Sequence, residues 1–137
     1  MIAAKRYHDI SCGHRVYGHE SKCRHLHGHN YRVHFDCEAS ALDHLGRVID
    51  FSVIKTTLCQ WLEDHWDHHF LAWEHDPALP QLRAIDDTVI AVPFNPTAEN
   101  MALHLLNVVA PSLLPEGIRL VRVTIDETRK CSAEASL

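Results

Sequence analysis

One segment of the sequence, residues 31–39, alternates between apolar and polar side chains. Successive side chains of a strand point to opposite faces, so this pattern predicts an antiparallel strand with one buried face and one face in water. The apolar set is Tyr31, Val33, Phe35 and Cys37. His34 belongs to the polar set, and we therefore leave it out of the candidate site.

Two histidines, His27 and His29, precede this segment with one glycine between them. If the segment is extended, both imidazoles project from the same face and can share one ion. His14 is the candidate third ligand, and three histidines without a fourth protein ligand are typical of a catalytic zinc site with an open position. The chain has 13 histidines among 137 residues, so such a pair can also arise by chance, and copper, nickel or iron would accept the same donors.

Cys23 lies shortly before His27. Beside a dication its thiol can act as a base or a nucleophile, whereas a lone cysteine is more often an inert, buried apolar residue. The chain has five cysteines and no C-x-x-C pair, so the sequence favours neither a disulfide framework nor a zinc ribbon.

Two further polar clusters are candidates for function. Asp67 precedes His68, and a carboxylate beside an imidazole can fix its tautomer and raise its basicity for proton transfer; the alternative is a surface ion pair. Glu127 follows the last predicted strand. There it is either solvated or, at the floor of a pocket, suited to accept paired hydrogen bonds from a planar amino-amide ligand such as a pterin.

The remaining periodicity predicts the α+β class, with four strands and two helices that share one face of the sheet. Asp50 is a good cap for a helix over about 51–64, and Thr97 is a good cap for a second helix that ends near Pro111. The other predicted strands are residues 5–12, 88–92 and 120–125. Residues 74–87 contain two prolines and are predicted to be irregular.

The length of 137 residues fits one domain, residues 1–137, with a core that needs no disulfide. A formal net charge of −5 argues against a nucleic-acid-binding protein, because no basic stripe is present to neutralise phosphates. No run approaches the length of a membrane span, and the N-terminus lacks an apolar signal core. We therefore expect no membrane association and a cytoplasmic location.

Six short blocks occur in one order along nearly the whole chain. They are Gly13-His14, Cys23-x-x-x-His27-Gly28-His29, Ile49-Asp50-Phe51, Asp67-His68-His69, Asn95-Pro96-Thr97-x-Glu99 and Glu127-Thr128. In this order they resemble the 6-pyruvoyltetrahydropterin synthase superfamily. The short gap between Cys23 and His27 resembles its bacterial carboxytetrahydropterin synthase branch, since the pyruvoyl enzymes carry a longer gap.

The resemblance implies a tunnelling fold (T-fold), in which each subunit offers a four-stranded antiparallel sheet with two helices packed on one face. Subunits of this family pair edge to edge, three to a barrel. Two barrels then stack into a homohexamer, a dimer of trimers, with active sites between subunits. Ring closure of this kind covers the edge strands of a small sheet.

The resemblance also implies the activity. A zinc-dependent lyase of this branch converts 7,8-dihydroneopterin triphosphate to 6-carboxy-5,6,7,8-tetrahydropterin, acetaldehyde and triphosphate in queuosine and 7-deazaguanine biosynthesis. By this resemblance, Zn²⁺ would be bound by His14, His27 and His29. The catalytic residues would be Cys23, Asp67 and His68, and Glu127 would bind the pterin. The alternatives are a pyruvoyltetrahydropterin synthase-type or dihydroneopterin-cleaving activity and, from another class, a non-catalytic metal-binding module.

Overall fold

The fold, seen in a computed structural model that describes residues 2–137, is built on one six-stranded sheet. The strands are β1 (Ala4–His14), β2 (His27–Ala39), β3 (Phe70–Trp73), β4 (Ile90–Val92), β5 (Ile118–Asp126) and β6 (Ser132–Ser136). Across the sheet they follow the order β4-β3-β1-β2-β5-β6. The pairs β1–β3 and β3–β4 are parallel, and the other pairs are antiparallel.

Helices account for most of the remaining chain. Their bounds are 51–65 for α1, Leu79–Ile85 for α2 and 98–113 for α3. The two long helices each contain a π-helical stretch, Lys55–Cys59 in α1 and Leu105–Val109 in α3. No helix within residues 2–137 combines the length and the apolar character needed to cross a membrane.

Both predicted helix caps are present. The side chain of Asp50 accepts a hydrogen bond from the N–H of Ser52 at the start of α1, and that of Thr97 accepts one from the N–H of Asn100 at the start of α3. Each bond satisfies a backbone donor that has no partner within the helix, so the local sequence places the beginning of both helices.

β1 and β2 form a long antiparallel hairpin in which His14 lies opposite His27. The alternation predicted for residues 31–39 extends back to His27, so the histidine pair belongs to the same strand. Gly13 allows a neighbour to approach the hairpin closely, because a β-carbon there would lie only 2.7 Å from Cδ2 of Phe70. The glycine therefore lets the start of β3 pack against the end of β1.

The two long helices cover one face of the sheet, as predicted, and we call this the core face. Its buried residues include Ile54, Leu58 and Leu62 from α1, Met101 and Leu105 from α3, and Tyr31, Val33, Phe35, Val123 and Ile125 from the strands. The opposite face, which we call the polar face, carries ion pairs such as Asp9 with Arg32 and His34 with Asp126. His34 thus lies away from the core face.

The prediction of four antiparallel strands is wrong, because β3 and β6 add two strands, and because β3 pairs in parallel with β1 and β4, which makes the sheet mixed. β3 is too short to show alternation, and its central residues, Leu71 and Ala72, are both fully buried. It lies parallel to β1 because the chain returns through helix α1 and not through a hairpin. In β6 the inward residues are Ala133 and Ala135, which are too small to give a clear apolar pattern.

The prediction that residues 74–87 are irregular is also wrong in part, because this segment contains α2. Pro80 lies in the first turn of that helix, where the missing N–H of a proline removes no intrahelical hydrogen bond. The proline is therefore compatible with the start of a helix.

An ion pair joins the end of β1 to the segment before α2. The guanidinium of Arg15 donates through Nε and Nη2 to the carboxylate of Asp76, whose side chain is fully buried. The bond from Arg15 and a further bond from the N–H of Ala78 hold the pKa of Asp76 below its ordinary value, against the effect of burial. The pair fixes the chain directly after His14.

We expect Asp76→Asn to lower the free energy of unfolding by about 2 kcal/mol. The substitution leaves the charge of Arg15 without its partner, and it places the amide N–H₂ donor of the new side chain against the guanidinium donors. Urea unfolding followed by circular dichroism measures the change. Asp86→Asn is the matched control, since Asp86 accepts similar local bonds from Thr88 but is exposed, and it should change stability by less than about 0.5 kcal/mol. Equal losses in the two variants would contradict the prediction.

Candidate metal centre and active site

Three histidines meet on the core face at the end of the β1–β2 hairpin. The ring nitrogens that His14, His27 and His29 offer as ligands all lie within 4.8 Å of one another. His14 and His27 are paired across the two strands, and His29 is two residues further along β2, so all three side chains project from one face. The fold thus brings together the three residues that the sequence proposed as metal ligands.

Backbone carbonyls orient two of the rings. Nδ1 of His14 donates to the carbonyl of Pro96 at 2.6 Å, and Nδ1 of His27 donates to the carbonyl of His25 at 2.7 Å. A ring with its proton on Nδ1 presents a lone pair on Nε2, which is how metal-ligating histidines are commonly held. Both rings are therefore pre-oriented as ligands.

The chemistry of these donors fits a divalent cation. Nε2 of His29 is buried and has no hydrogen-bond partner among the described residues, an arrangement that costs free energy unless a ligand satisfies it. Burial lowers the pKa of His14 to about 4, although its bond to Pro96 opposes the shift. Burial also lowers the pKa of His29, against an opposing effect of Glu127. Neutral imidazoles are the form that binds metals.

Glu127 joins the histidines from the end of β5. Its Oε1 lies 3.6 Å from Nε2 of His29, and its Oε2 lies 4.0 Å from Nε2 of His14. The side chain is 25% exposed, so its carboxylate lies between the buried rings and solvent. In this place it can accept hydrogen bonds from a planar ligand that lies next to the histidines.

The pKa of His14 predicts a loss of stability in acid for the metal-free protein. Because the folded-state pKa is about 4 and the ordinary value is 6.5, the unfolded chain binds a proton that the folded chain does not between these pH values. We expect this one group to lower the free energy of unfolding by up to about 3 kcal/mol as the pH falls from 7 to 4.

Urea unfolding at several pH values tests that expectation when His14→Gln is measured beside the wild type. All other titrating groups are shared by the two proteins. Below pH 6.5 the free energy of unfolding of the wild type should therefore fall more steeply than that of His14→Gln. Parallel stability curves for the two proteins would contradict the assignment of the acid effect to His14.

Cys23 lies in the 3₁₀ turn Lys22–Arg24, within the loop that joins β1 to β2. It is a half-buried free thiol. Cys12 differs, because it is buried opposite His29 and burial raises the pKa of its thiol to about 12. Cys12 therefore stays protonated as a space-filling core residue, and Cys23 is the accessible thiol in the segment next to the histidines.

Asp67 and His68 form a hydrogen-bonded pair beside the edge of β1. Nδ1 of His68 lies 2.8 Å from Oδ2 of Asp67, whose Oδ1 accepts the N–H of Ser11 at 2.9 Å. Burial favours the protonated carboxyl, but the bonds from Ser11 and His68 outweigh it and hold the pKa of Asp67 below its ordinary value. The φ of His68 is 59°, a left-handed conformation that is costly for a residue with a side chain. The backbone is thus strained where this imidazole is presented.

This pair lies at the edge of β1, where the N–H of Ser11 holds Asp67, and it borders the histidine site. His68 and His29 line one cleft, together with Gly13, Gly28 and Phe70. A cavity of about 940 Å³ on the polar face is lined by Asp67, His68 and Glu127, and the imidazole of His68 is 80% exposed. In the described chain no hydrogen bond or ion pair joins Asp67 or His68 to the three histidines.

Two residues beside the histidines were not predicted. The hydroxyl of Tyr31 lies 3.1 Å from Nε2 of His14, and burial raises the pKa of this phenol far above its ordinary value, so it remains a donor. Tyr31 continues the alternation of His27 and His29, and that pattern could have identified it. Pro96 belongs to one of the six sequence blocks, but its contact with His14 is made by a backbone carbonyl, which no side-chain pattern predicts.

Comparison with known proteins identifies the family. Residues 3–136 match the family model described as 6-pyruvoyl tetrahydropterin synthase. A 6-carboxy-5,6,7,8-tetrahydropterin synthase from Rickettsia typhi is 34% identical over 98% of this chain and 99% of its own length. A probable 6-carboxy-5,6,7,8-tetrahydropterin synthase from Halobacterium salinarum is 36% identical over 90% of this chain and 79% of its own length.

Solved structures share the fold. An uncharacterized protein from Wolinella succinogenes has a TM-score of 0.87 at 23% identity. The alignment covers 98% of this chain and 97% of the Wolinella protein. The 6-pyruvoyl tetrahydropterin synthase from Caenorhabditis elegans has a TM-score of 0.69 at 21% identity, with coverages of 99% of this chain and 95% of its own. With the family model matched almost end to end, this chain belongs to the 6-pyruvoyl tetrahydropterin synthase family of enzymes.

Proposed function

We propose that this enzyme is a zinc-dependent lyase that converts 7,8-dihydroneopterin triphosphate to 6-carboxy-5,6,7,8-tetrahydropterin, acetaldehyde and triphosphate. The observation that carries the proposal is the cluster of three imidazoles beside Glu127, in a chain whose curated relatives are named as synthases of this product. The short gap between Cys23 and His27 supports the same branch of the family. The product would serve queuosine and 7-deazaguanine biosynthesis.

The proposed metal ligands are the Nε2 atoms of His14, His27 and His29. A set of three imidazoles with one open coordination position suits Zn²⁺ in a catalytic site, and the buried, unpartnered Nε2 of His29 supports occupation by a cation. When bound, the metal would act as a Lewis acid on the side-chain oxygens of the substrate, which makes the neighbouring C–H protons easier to remove.

Glu127 is proposed to anchor the pterin ring. Its carboxylate can accept two hydrogen bonds from the amino and amide N–H groups of the ring, and it lies 3.6 Å from the nearest metal-ligand nitrogen. A ring held there would lie next to the histidines. Positioning of this kind supplies a large part of an enzymatic rate enhancement.

Cys23 is proposed to remove the proton from the substrate side chain. A thiol acts as a base in its thiolate form. His68 is the proposed proton carrier, held by Asp67 with the proton on Nδ1 and a free Nε2. Asp67 is already ionised in the fold, so it stabilises the imidazolium that forms when His68 accepts a proton.

We propose that the active enzyme is a homo-oligomer, a hexamer made of two trimers. The outer strands β4 and β6 each have a single neighbour, which leaves two open sheet edges in one chain. The exposed imidazole of His68 also supports an active site completed by another subunit, since within the described chain no hydrogen bond or ion pair joins it to the proposed ligands. Light scattering tests this: a mass near that of a hexamer of the 15.6 kDa chain is expected, and a monomer would contradict it.

Product analysis tests the function. Zinc-loaded enzyme incubated with 7,8-dihydroneopterin triphosphate should release acetaldehyde and form the 6-carboxy product. Glycolaldehyde would instead identify dihydroneopterin cleavage, and 6-pyruvoyltetrahydropterin would identify the pyruvoyl synthase reaction. Stoichiometric zinc with no turnover would support a non-catalytic metal-binding module.

A further inference from the structure

A turn far from the β1–β2 hairpin in sequence contacts both the metal ligands and the loop that carries the thiol. We define the thiol loop as residues 15–26, which connect β1 to β2 and include Cys23. The turn is Asn95-Pro96, directly before helix α3. Its Pro96 carbonyl accepts the hydrogen bond that orients His14, and its Asn95 side chain contacts the thiol loop.

The side chain of Asn95 clamps the backbone of Tyr17. Its Oδ1 accepts the N–H of Tyr17 at 3.1 Å, and its Nδ2 donates to the carbonyl of the same residue at 2.9 Å. The two bonds imitate the exchange between paired residues of an antiparallel ladder. A side-chain amide is required for this, because it offers a donor and an acceptor in one plane, whereas a carboxylate offers no donor.

This clamp ties the thiol loop to the rest of the fold. Among the described residues, residues 16–24 make hydrogen bonds to only one residue outside the loop, and that residue is Asn95. Within the loop, the N–H of Val16 donates to the carbonyl of Cys23 at 2.9 Å. The residue next to the clamped Tyr17 is therefore bonded to the thiol residue itself, and a shift of Tyr17 would be transmitted to Cys23.

The turn is anchored on its other side to the start of α3. The carbonyl of Asn95 accepts the N–H of Thr97 at 2.7 Å and Nδ2 of Asn100 at 3.0 Å. Thr97 in turn caps the helix by accepting the N–H of Asn100 at 3.1 Å. Because the first turn of α3 is buried through Met101, the clamp is attached to a rigid part of the core.

We propose that Asn95 is a positioning residue that holds the Cys23 thiol in place relative to the metal-binding histidines. One turn thus sets both groups, since Asn95 holds the thiol loop while the Pro96 carbonyl orients His14. The inference rests on the proposed function, because that function gives Cys23 the proton transfer. A misplacement of about 1 Å can cost on the order of 10²-fold in rate, so loss of the clamp should lower kcat.

The first test is Asn95→Ala, with zinc content, kinetics and thiol labelling measured on the full-length enzyme. We expect kcat to fall by about 10- to 100-fold with unchanged KM and zinc content. Iodoacetamide should label Cys23 faster than in the wild type, because the loop is released. Cys131 is an exposed thiol outside the loop and serves as the reference in the same sample. Asn107→Ala, at an exposed asparagine later in α3, should change none of these quantities.

Two further variants separate positioning from general damage to the fold. Asn95→Asp keeps the acceptor but places a carboxylate against the carbonyl of Tyr17, so it should behave like Asn95→Ala. Asn95→Gln keeps both hydrogen-bonding groups and should recover part of kcat. Circular dichroism verifies that each variant is folded.

Unchanged labelling of Cys23 in the folded Asn95 variants would overturn the proposal, and so would a loss of kcat that only follows a loss of zinc. Labelling and zinc content require no substrate. If the wild type fails to convert 7,8-dihydroneopterin triphosphate, the proposed function is contradicted, while the labelling comparison still decides whether Asn95 positions the thiol.

Discussion

Replacing Cys23 by alanine is expected to lower kcat by on the order of 10³-fold while the enzyme keeps its zinc. The proposed mechanism gives this thiol the removal of a substrate proton, and no other accessible thiol lies in the segment next to the histidines of the described chain. Cys12 cannot substitute for it, because burial raises the pKa of that thiol to about 12. The three proposed ligands are untouched, so the metal should remain bound.

Acetaldehyde release from 7,8-dihydroneopterin triphosphate measures the loss, and elemental analysis of the same sample measures zinc. Cys131→Ala is the matched control, because it removes an exposed thiol whose side chain makes no hydrogen bond among the described residues. Cys23→Ser adds information, since a hydroxyl keeps the size of the side chain but is a far weaker acid than a thiol. A Cys23→Ala enzyme with near wild-type turnover would remove the thiol from the mechanism and favour a module that only binds metal.

Replacing His27 by alanine is expected to weaken zinc binding by more than about 100-fold, which exceeds the usual effect of losing a partner that only orients a ligand. His27 suits this test better than His14, because it is partly exposed and its removal leaves less of a hole in the core than removal of the fully buried His14. Turnover should fall together with zinc content.

The control for this change is His25→Ala. His25 holds His27 through its backbone carbonyl, and that carbonyl remains in the variant, so zinc binding should stay close to that of the wild type. Competition with a chromophoric chelator gives the dissociation constants, and the rise in melting temperature on adding zinc gives an independent measure, since a ligand that binds the folded state stabilises it. Stoichiometric zinc retained by His27→Ala would exclude His27 from the ligand set.

The parts of the fold that were predicted correctly are those set by local periodicity. The alternation in β2 and the caps at Asp50 and Thr97 depend on neighbours within a few residues, and each was found where the sequence placed it. The strands that were missed, β3 and β6, are short; β3 pairs with the distant β1, whereas β6 pairs with β5, the strand directly before it. Their own side chains carry too little apolar contrast to indicate a strand.

The same distinction between local patterns and long-range packing holds for the candidate site. His27 and His29 share one face because they lie two apart in a single strand, a relation that the sequence determines by itself. His14 joins them only through the hairpin register, and its ring is oriented by a carbonyl 82 residues away in Pro96. The approach of Glu127 to the two rings depends on the pairing of β5 with β2.

What the sequence determined alone was therefore the chelating pair, the helix starts and the set of chemically competent residues. The tertiary structure decided which of those residues share a site: it placed Glu127 within 4.0 Å of two of the histidines, and it set Asp67 and His68 at the neighbouring edge of β1, with no hydrogen bond or ion pair to the histidines among the described residues. The physical reason is that side-chain alternation is a property of a single strand, whereas register, strand order and backbone hydrogen bonds between distant segments depend on how the whole chain packs.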